Sequence, residues 1–239
     1  HRFALVIGNS QYPGKDAIPN AAQDAKTVAE LLEDRSFRVT TALNRTRDEL
    51  RLLINTFIDS TPINGTALIY FGGHTMTVKD NQGVIQSLLL TIDGNHKAIL
   101  LGDVIKWVGT KSAAKSTILL IDSGQGIPSA YSDRRGPPGL NAFDKLPDGV
   151  LLNFAMKPNT WSDQPGSMAK RLAKSTRADL ETWLSTASRW QLSTCAPGAI
   201  SKPAAHAIAP PGKLVRGQQA GDEWVSLSGT VFCWCPQNG

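Results

Sequence analysis

Cysteine is scarce: only Cys195, Cys233 and Cys235 occur among 239 residues, all late in the chain. That is too few, and too one-sided, for a disulfide framework, so a reducing compartment is expected, taken here as the cytoplasm. Long apolar runs are also missing. No stretch approaches the roughly 18 residues needed to span a bilayer, and the first residues form no basic-then-apolar leader. No membrane is therefore expected among the partners. Nor is there much excess charge of one sign: 25 Lys and Arg stand against 20 Asp and Glu, a net +5 with the positives scattered. Nucleic acid is not an expected partner either. No internal repeat or low-complexity tract occurs. What is present is a hydrophobic content of 41% with only 19% charged residues, enough for one large folded domain or two small ones and unlike a disordered chain.

The order of elements is readable from periodicity. Residues 3–8 are a continuous apolar run closed by Gly8 and Asn9, the pattern of a strand buried on both faces. Ala25, Val28, Ala29, Leu31 and Leu32 then follow helical spacing over 21–33, with Asn20 available as N-cap. Alternation at Phe37, Val39 and Thr41 predicts a second strand over 37–43, and a helix over 48–58 follows, capped by Asn44 or Thr46. A third buried strand covers 65–71 and ends in Gly72-Gly73-His74. The segment 84–92 is rich in leucine and β-branched residues, and 100–108 reads as an amphipathic helix. A fourth buried strand covers 116–122, ending in Ser123-Gly124. Pro, Gly, Ser and charge over 127–148 predict a long exposed loop. A strand over 150–155, one or two helices over 168–184, an irregular 197–221 and a strand or hairpin over 224–235 complete the chain. Cys233 and Cys235 would share one face of that strand. Two ligands with no third do not make a metal site, so none is expected.

Strands buried on both faces and alternating with helices imply an α/β/α sandwich with a mainly parallel central sheet. The chemistry of such sheets gathers at the carboxyl ends of the strands. Two ends stand out: Tyr70-Phe71-Gly72-Gly73-His74 and Ile121-Asp122-Ser123-Gly124-Gln125-Gly126. His74 and Gly124 lie 50 positions apart, the interval between histidine and nucleophile in caspases.

The chain resembles the caspase-like cysteine peptidases, and within them the metacaspase and orthocaspase branch. RFALVIGNSQYP at 2–13 is similar to the family's first strand, and PNAAQDAKTVAELLEDRSFRVT at 19–40 to its first helix and second strand. LIYFGGHT at 68–75 is similar to its Tyr-Phe-Ser-Gly-His-Gly motif, TILLIDSGQG at 117–126 to its Asp-Ser/Ala-Cys turn, and GVLLNFAMKPNTWSD at 149–163 to the strand and loop that follow. The resemblance implies a caspase-like domain over 1–195. It divides into a large-subunit-like part at 1–126, the loop at 127–148 and a small-subunit-like part at 149–195, with an irregular extension at 196–239 packed on the same domain.

In such peptidases a thiolate attacks the scissile carbonyl, a histidine protonates the leaving amine and backbone N–H groups hold the oxyanion. The resemblance places the histidine at His74, oxyanion-side backbone at Gly73 and the nucleophile position at Gly124. It also implies a pocket for Arg or Lys side chains lined by Asp24, Asp93 and Asp122, with Gly72 at the position of the pocket serine. Glycine cannot form an acyl-enzyme. Gly72 and Thr75 also replace a Ser and a Gly of the family motif, so both catalytic loops have drifted. The expectation is thus a natural pseudopeptidase that binds basic peptide segments or regulates a protein partner. The runner-up is an active Arg/Lys-specific cysteine endopeptidase with its nucleophile replaced, and a third reading is a serine-type hydrolase using Ser123 and His74. No cofactor is expected; calcium dependence, known in some metacaspases, is left open.

Overall fold

The computed structural model describes residues 1–94, 97–123, 140, 141, 143, 145–155 and 167–174, together with the backbone of 223–225 and 231–233. In chain order the elements are β1 (Arg2–Gly8), a 3-10 turn (Gly14–Asp16), α1 (Ala21–Glu33), β2 (Arg38–Leu43), α2 (Arg47–Ser60), β3 (Thr66–Gly72), β4 (Thr75–Lys79), β5 (Ile85–Leu90), β6 (Ala98–Leu100), α3 (Leu101–Lys111), β7 (Ser116–Asp122), β8 (Val150–Phe154), α4 (Ser167–Lys174), β9 (Glu223–Val225) and β10 (Val231–Cys233).

Five strands form one parallel sheet in the order β2-β1-β3-β7-β8. Its central strands bury both faces because their apolar runs are unbroken. Successive side chains point to opposite faces. Leu5, Ile7, Ile69, Phe71, Leu119 and Ile121 therefore join α2 and α3 in one core, while Ala4, Val6, Leu68, Tyr70, Ile118 and Leu120 join α1 and α4 in the other. This is the expected mixed α/β fold with a mainly parallel central sheet. Along the carboxyl edge, Leu43, Gly8, Gly72 and Asp122 stand side by side in register.

Several local expectations are refined. Thr46, not Asn44, caps α2 in a capping box with Glu49: the Glu49 carboxylate accepts hydrogen bonds from the Thr46 backbone N–H at 2.9 Å and hydroxyl at 2.8 Å. These two bonds hold the Glu49 carboxyl below its ordinary value. Asn44 instead adopts a left-handed backbone, φ 53°, and its side-chain oxygen accepts from Ser10 and Gln11. Asn20 precedes α1 with a helical backbone, and its side chain makes no capping bond. On the edge strand β2, Thr41 is exposed although Val39 and Leu43 of the same face pack on the α1 side, and Ala42 is buried in the opposite core.

The segment after His74 forms a separate antiparallel sheet, β4-β5-β6. The exposed loop expected over 127–148 is in part core: Leu140 and Leu146 are buried in the core on the α2 and α3 side of the sheet, and Asn141 bonds Ser87 and the Ile85 carbonyl. Isolated leucines in a Pro- and Gly-rich run have no period, so nothing in the sequence marked them as buried. The helix expected over 168–184 is described for Ser167–Lys174; 175–184, Cys195 and Cys235 lie outside the described residues. Where a strand or hairpin was expected over 224–235, the backbones of β9 and β10 pair antiparallel, with Cys233 opposite Glu223. No helix among the described residues is long and apolar enough to cross a membrane.

Candidate active site

Where β3 ends, His74 turns inward and is almost fully buried, 4% exposed. Its backbone is fixed on two sides. The N–H donates to the Tyr12 hydroxyl at 2.9 Å, and the carbonyl accepts from the Leu90 N–H at 3.0 Å. The Tyr12 hydroxyl in turn donates to the Leu90 carbonyl at 3.2 Å, and its ring meets the imidazole edge-on, with centroids 4.5 Å apart. Asn9, fully buried, completes this frame by joining the ends of β1, β3 and β5: its N–H donates to Gly72 O, and its side chain bonds Leu90 O and the Arg45 backbone.

The His74 ring reaches the backbone carbonyl of Asp16 with Nε2, at 2.7 Å. A carbonyl can only accept, so Nε2 carries the proton and Nδ1 is the basic nitrogen. Nδ1 is buried and has no hydrogen-bond partner among the described residues. Burial disfavours the imidazolium and lowers the pKa, against smaller opposing effects from the Asp16 carbonyl and carboxylate. His74 is therefore a neutral, oriented imidazole whose Nδ1 lone pair has no partner among the described residues, the form a general base takes.

Asp122, at the end of β7, is 3% exposed. Its carboxylate accepts from the Tyr70 hydroxyl at 2.9 Å and from the backbone N–H groups of Met168 at 3.2 Å and Ala169 at 2.8 Å, at the start of α4. Burial raises its pKa despite these bonds. The Tyr70 hydroxyl is pushed well above its ordinary value by burial and by the same carboxylate. Asp24 on α1 is half-buried; burial, then repulsion from Asp122, raises its pKa, while Lys170 of α4 opposes the rise. Asp24 and Asp122 thus share one electrostatic site beside α4.

Asp93 belongs to a different cluster. Its carboxylate accepts from Thr91 Oγ1 at 2.6 Å and from the Arg47 N–H at 3.2 Å, and pairs with Lys97 at 3.2 Å, at the start of α2. Burial pushes its pKa up, but these bonds outweigh it and hold the carboxyl below its ordinary value. Among the described residues, no group of three or more His, Cys, Asp and Glu side chains could hold a metal ion.

Gly73 is tightly enclosed: a Cβ there would stand 2.6 Å from the Tyr12 hydroxyl. A Cβ at Gly72 would meet the Tyr70 ring at 3.2 Å. Ser123 follows Asp122, and its Oγ accepts a hydrogen bond from Thr75 Oγ1 at 2.6 Å. Gly124 lies outside the described residues.

Residues 1–202 match the caspase domain. The chain belongs to the caspase-domain family. Among solved structures, the Drosophila initiator caspase Dronc is similar over 77% of this chain and 70% of its own, at 14% identity and a TM-score of 0.49. A Geobacter sulfurreducens protein is similar over 52% of this chain, at 17% identity and a TM-score of 0.45, and this chain covers 51% of that one, about half its length. No curated protein matches in sequence.

In this caspase-domain chain Tyr12 and the Asp16 carbonyl are the site components that sequence reasoning missed. Tyr12 stands in a turn with no periodicity, and a backbone carbonyl is carried by every residue, so neither leaves a local signal. The Asp24–Asp122 pair makes a testable demand. A carboxyl whose folded pKa is raised contributes stability that is full below its unfolded value, about 3.9, and lost as pH rises through the folded one. Asp24→Asn removes that titration and, with it, the repulsion Asp24 feels from Asp122. The variant is expected to lose part of the decline in stability between acid and neutral pH, and to be the more stable protein at neutral pH. Urea unfolding of both proteins across that range checks this; a variant less stable at neutral pH would count against the repulsion.

Proposed function

We propose that this caspase-domain protein is a pseudopeptidase: it binds peptide segments carrying Arg or Lys at the carboxyl end of its sheet and does not cut them. The observation that carries the reading is the side-chain-free residue Gly124, 50 residues beyond His74, where the resemblance puts the nucleophile. Losing a nucleophile that acts in concert with its base removes several orders of magnitude of rate. Support for a cationic ligand comes from Asp24, half-buried and electrostatically coupled to Asp122. A guanidinium or ammonium group there would relieve that repulsion. Asp93, engaged by Arg47, Thr91 and Lys97, is not counted among the contacts.

The serine-hydrolase alternative has no geometric support. The Ser123 hydroxyl meets Thr75 and His74 Nε2 meets Asp16, so no hydrogen bond joins the two. The test is a calorimetric titration with a short Arg-ended peptide and its Asp-ended counterpart, alongside a cleavage assay on a fluorogenic Arg peptide. Selective binding of the Arg peptide, weakened by Asp24→Ala, with no cleavage, is expected. Turnover would refute inactivity, and equal or absent binding of both peptides would refute the basic pocket.

A further inference from the structure

α2 and α3 lie side by side on one face of the sheet and run in the same direction. Their starts are joined where Arg47 Nε donates to the Ala98 carbonyl at 3.0 Å, and their ends where the Asn64 N–H donates to the Ala113 carbonyl at 3.3 Å. Leu50, Ile54, Phe57 and Ile58 turn α2 toward the core. Between the helices, on the solvent side, lies a groove of about 440 Å³. Leu52 and the half-buried Trp107 form its apolar part, with Asp48 and Arg51 toward the helix starts and Asp59 and Lys111 toward the helix ends. Leu52 stands off the core-facing stripe of α2 and is 68% exposed. Among the described residues, none of the four charged side chains takes part in an ion pair.

We propose that this groove pairs with the same groove of a second copy of the chain, α2 against α2 in opposite directions, about a two-fold axis at Asn55. Arg51, Asn55 and Asp59 follow one another at intervals of four and form one ridge along α2, with Arg51 and Asp59 each about 6 Å along the helix axis from Asn55. Ridges of this kind packed on one another give the commonest helix crossing. The two-fold axis lays the ridge beside its own copy in reverse, so each Arg51 meets the partner's Asp59. The end of the groove that carries Lys111 then meets the end of the other that carries Asp48. Every charge finds an opposite one, and Leu52 and Trp107 of both copies are enclosed together. A partner of one dominant sign would be repelled at half of these positions. A two-fold interface, in contrast, requires a surface that complements itself, and the balanced signs on either side of Asn55 make this one such a surface. The pairing is independent of whether the chain binds basic peptides.

Light scattering on the full chain over about 1–200 µM tests the pairing. Mass rising with concentration from one chain to two is expected. Leu52→Glu, at an exposed position where substitution costs the fold little, should hold the chain single throughout. Arg51→Glu or Asp59→Arg alone turns two attractions into two repulsions and should raise the dissociation constant of the dimer about tenfold. The two swaps together restore opposite signs and should return it to within about threefold of the parent. Circular dichroism checks the fold of each variant, and the double swap keeps the test open if Leu52→Glu folds poorly. A chain that stays single at every concentration would overturn the pairing and leave the groove to a different protein. A dimer untouched by Leu52→Glu and by the single swaps would place the contact on another surface. Single swaps that weaken the dimer without rescue by the double variant would refute the two-fold axis at Asn55.

Discussion

Asp122→Ala is expected to destabilise the protein by about 3 kcal/mol and to release α4 before the sheet unfolds. The side chain is 3% exposed, and three donors converge on it: the Tyr70 hydroxyl and the N–H groups of Met168 and Ala169. The first N–H groups of a helix have no partner within the helix, so alanine leaves two of them, and a buried phenol, unsatisfied. Each such loss costs about 1–3 kcal/mol, and relief of the carboxylate's own desolvation offsets part of the sum. Asp122→Asn keeps an acceptor oxygen and should cost about half as much. Urea unfolding gives the totals. Hydrogen exchange at Met168 and Ala169 shows whether α4 opens first. An alanine variant within about 0.5 kcal/mol of the parent, the ordinary range for surface changes, would mean the carboxylate is not committed to α4 and is free for a ligand.

That commitment bears on how the basic-peptide reading works. A carboxylate offers about four acceptor sites, and three of those on Asp122 are taken by protein donors. The half-buried Asp24 is then the group with capacity to receive a cation, and Asp122 acts on it through charge. Lys170, on the helix that Asp122 anchors, already offsets part of the negative charge at Asp24. On the proposed basic-peptide reading, ligand recognition and α4 docking would be linked through the same pair of carboxylates.

The parts of this fold that were legible are those governed by a period. β1, β3 and β7 carry unbroken apolar runs, and α1 falls on 21–33 as its spacing required. β4 was not legible because it is five residues long and begins directly after His74, where the third strand's glycine-rich end masks the start of another strand. Leu140 and Leu146 were missed because burial of an isolated leucine depends on what covers it. The same logic divides the site. His74 was singled out because its place at a strand end, at a set interval from Gly124, is a sequence property. Asp24, Asp93 and Asp122 entered together by resemblance, and the structure separates Asp93 from the other two because its charge is met by Lys97 and the start of α2. The partners of His74 were not found because they are a hydroxyl and a carbonyl delivered by backbone geometry.

Gly73→Ala tests that geometry directly, and its effect should be nearly as large as that of Asp122→Ala. A Cβ at position 73 would stand 2.6 Å from the Tyr12 hydroxyl and 3.0 Å from the Phe71 ring. Both neighbours are held in the core, Tyr12 at 6% and Phe71 at 0% exposure. Overpacking of this kind costs about 1–3 kcal/mol. Tyr12 is the residue that must give way, since Phe71 is locked in the central sheet. Its retreat breaks the bond from the His74 N–H and removes the edge-on ring that helps bury the imidazole. The depressed pKa of His74 comes chiefly from burial, so water reaching Nδ1 should raise it toward the ordinary value of about 6.5. Because the folded value lies below the unfolded one in the parent, this group's contribution to stability is present above the unfolded pKa and lost as pH falls through the folded one. In Gly73→Ala that acid-side loss should shrink. NMR titration of the His74 ring protons and urea unfolding between weakly acid and neutral pH measure the two effects together. An unshifted His74 titration in a destabilised variant would show that Gly73 is needed for packing alone, and that Tyr12 does not set the state of the histidine.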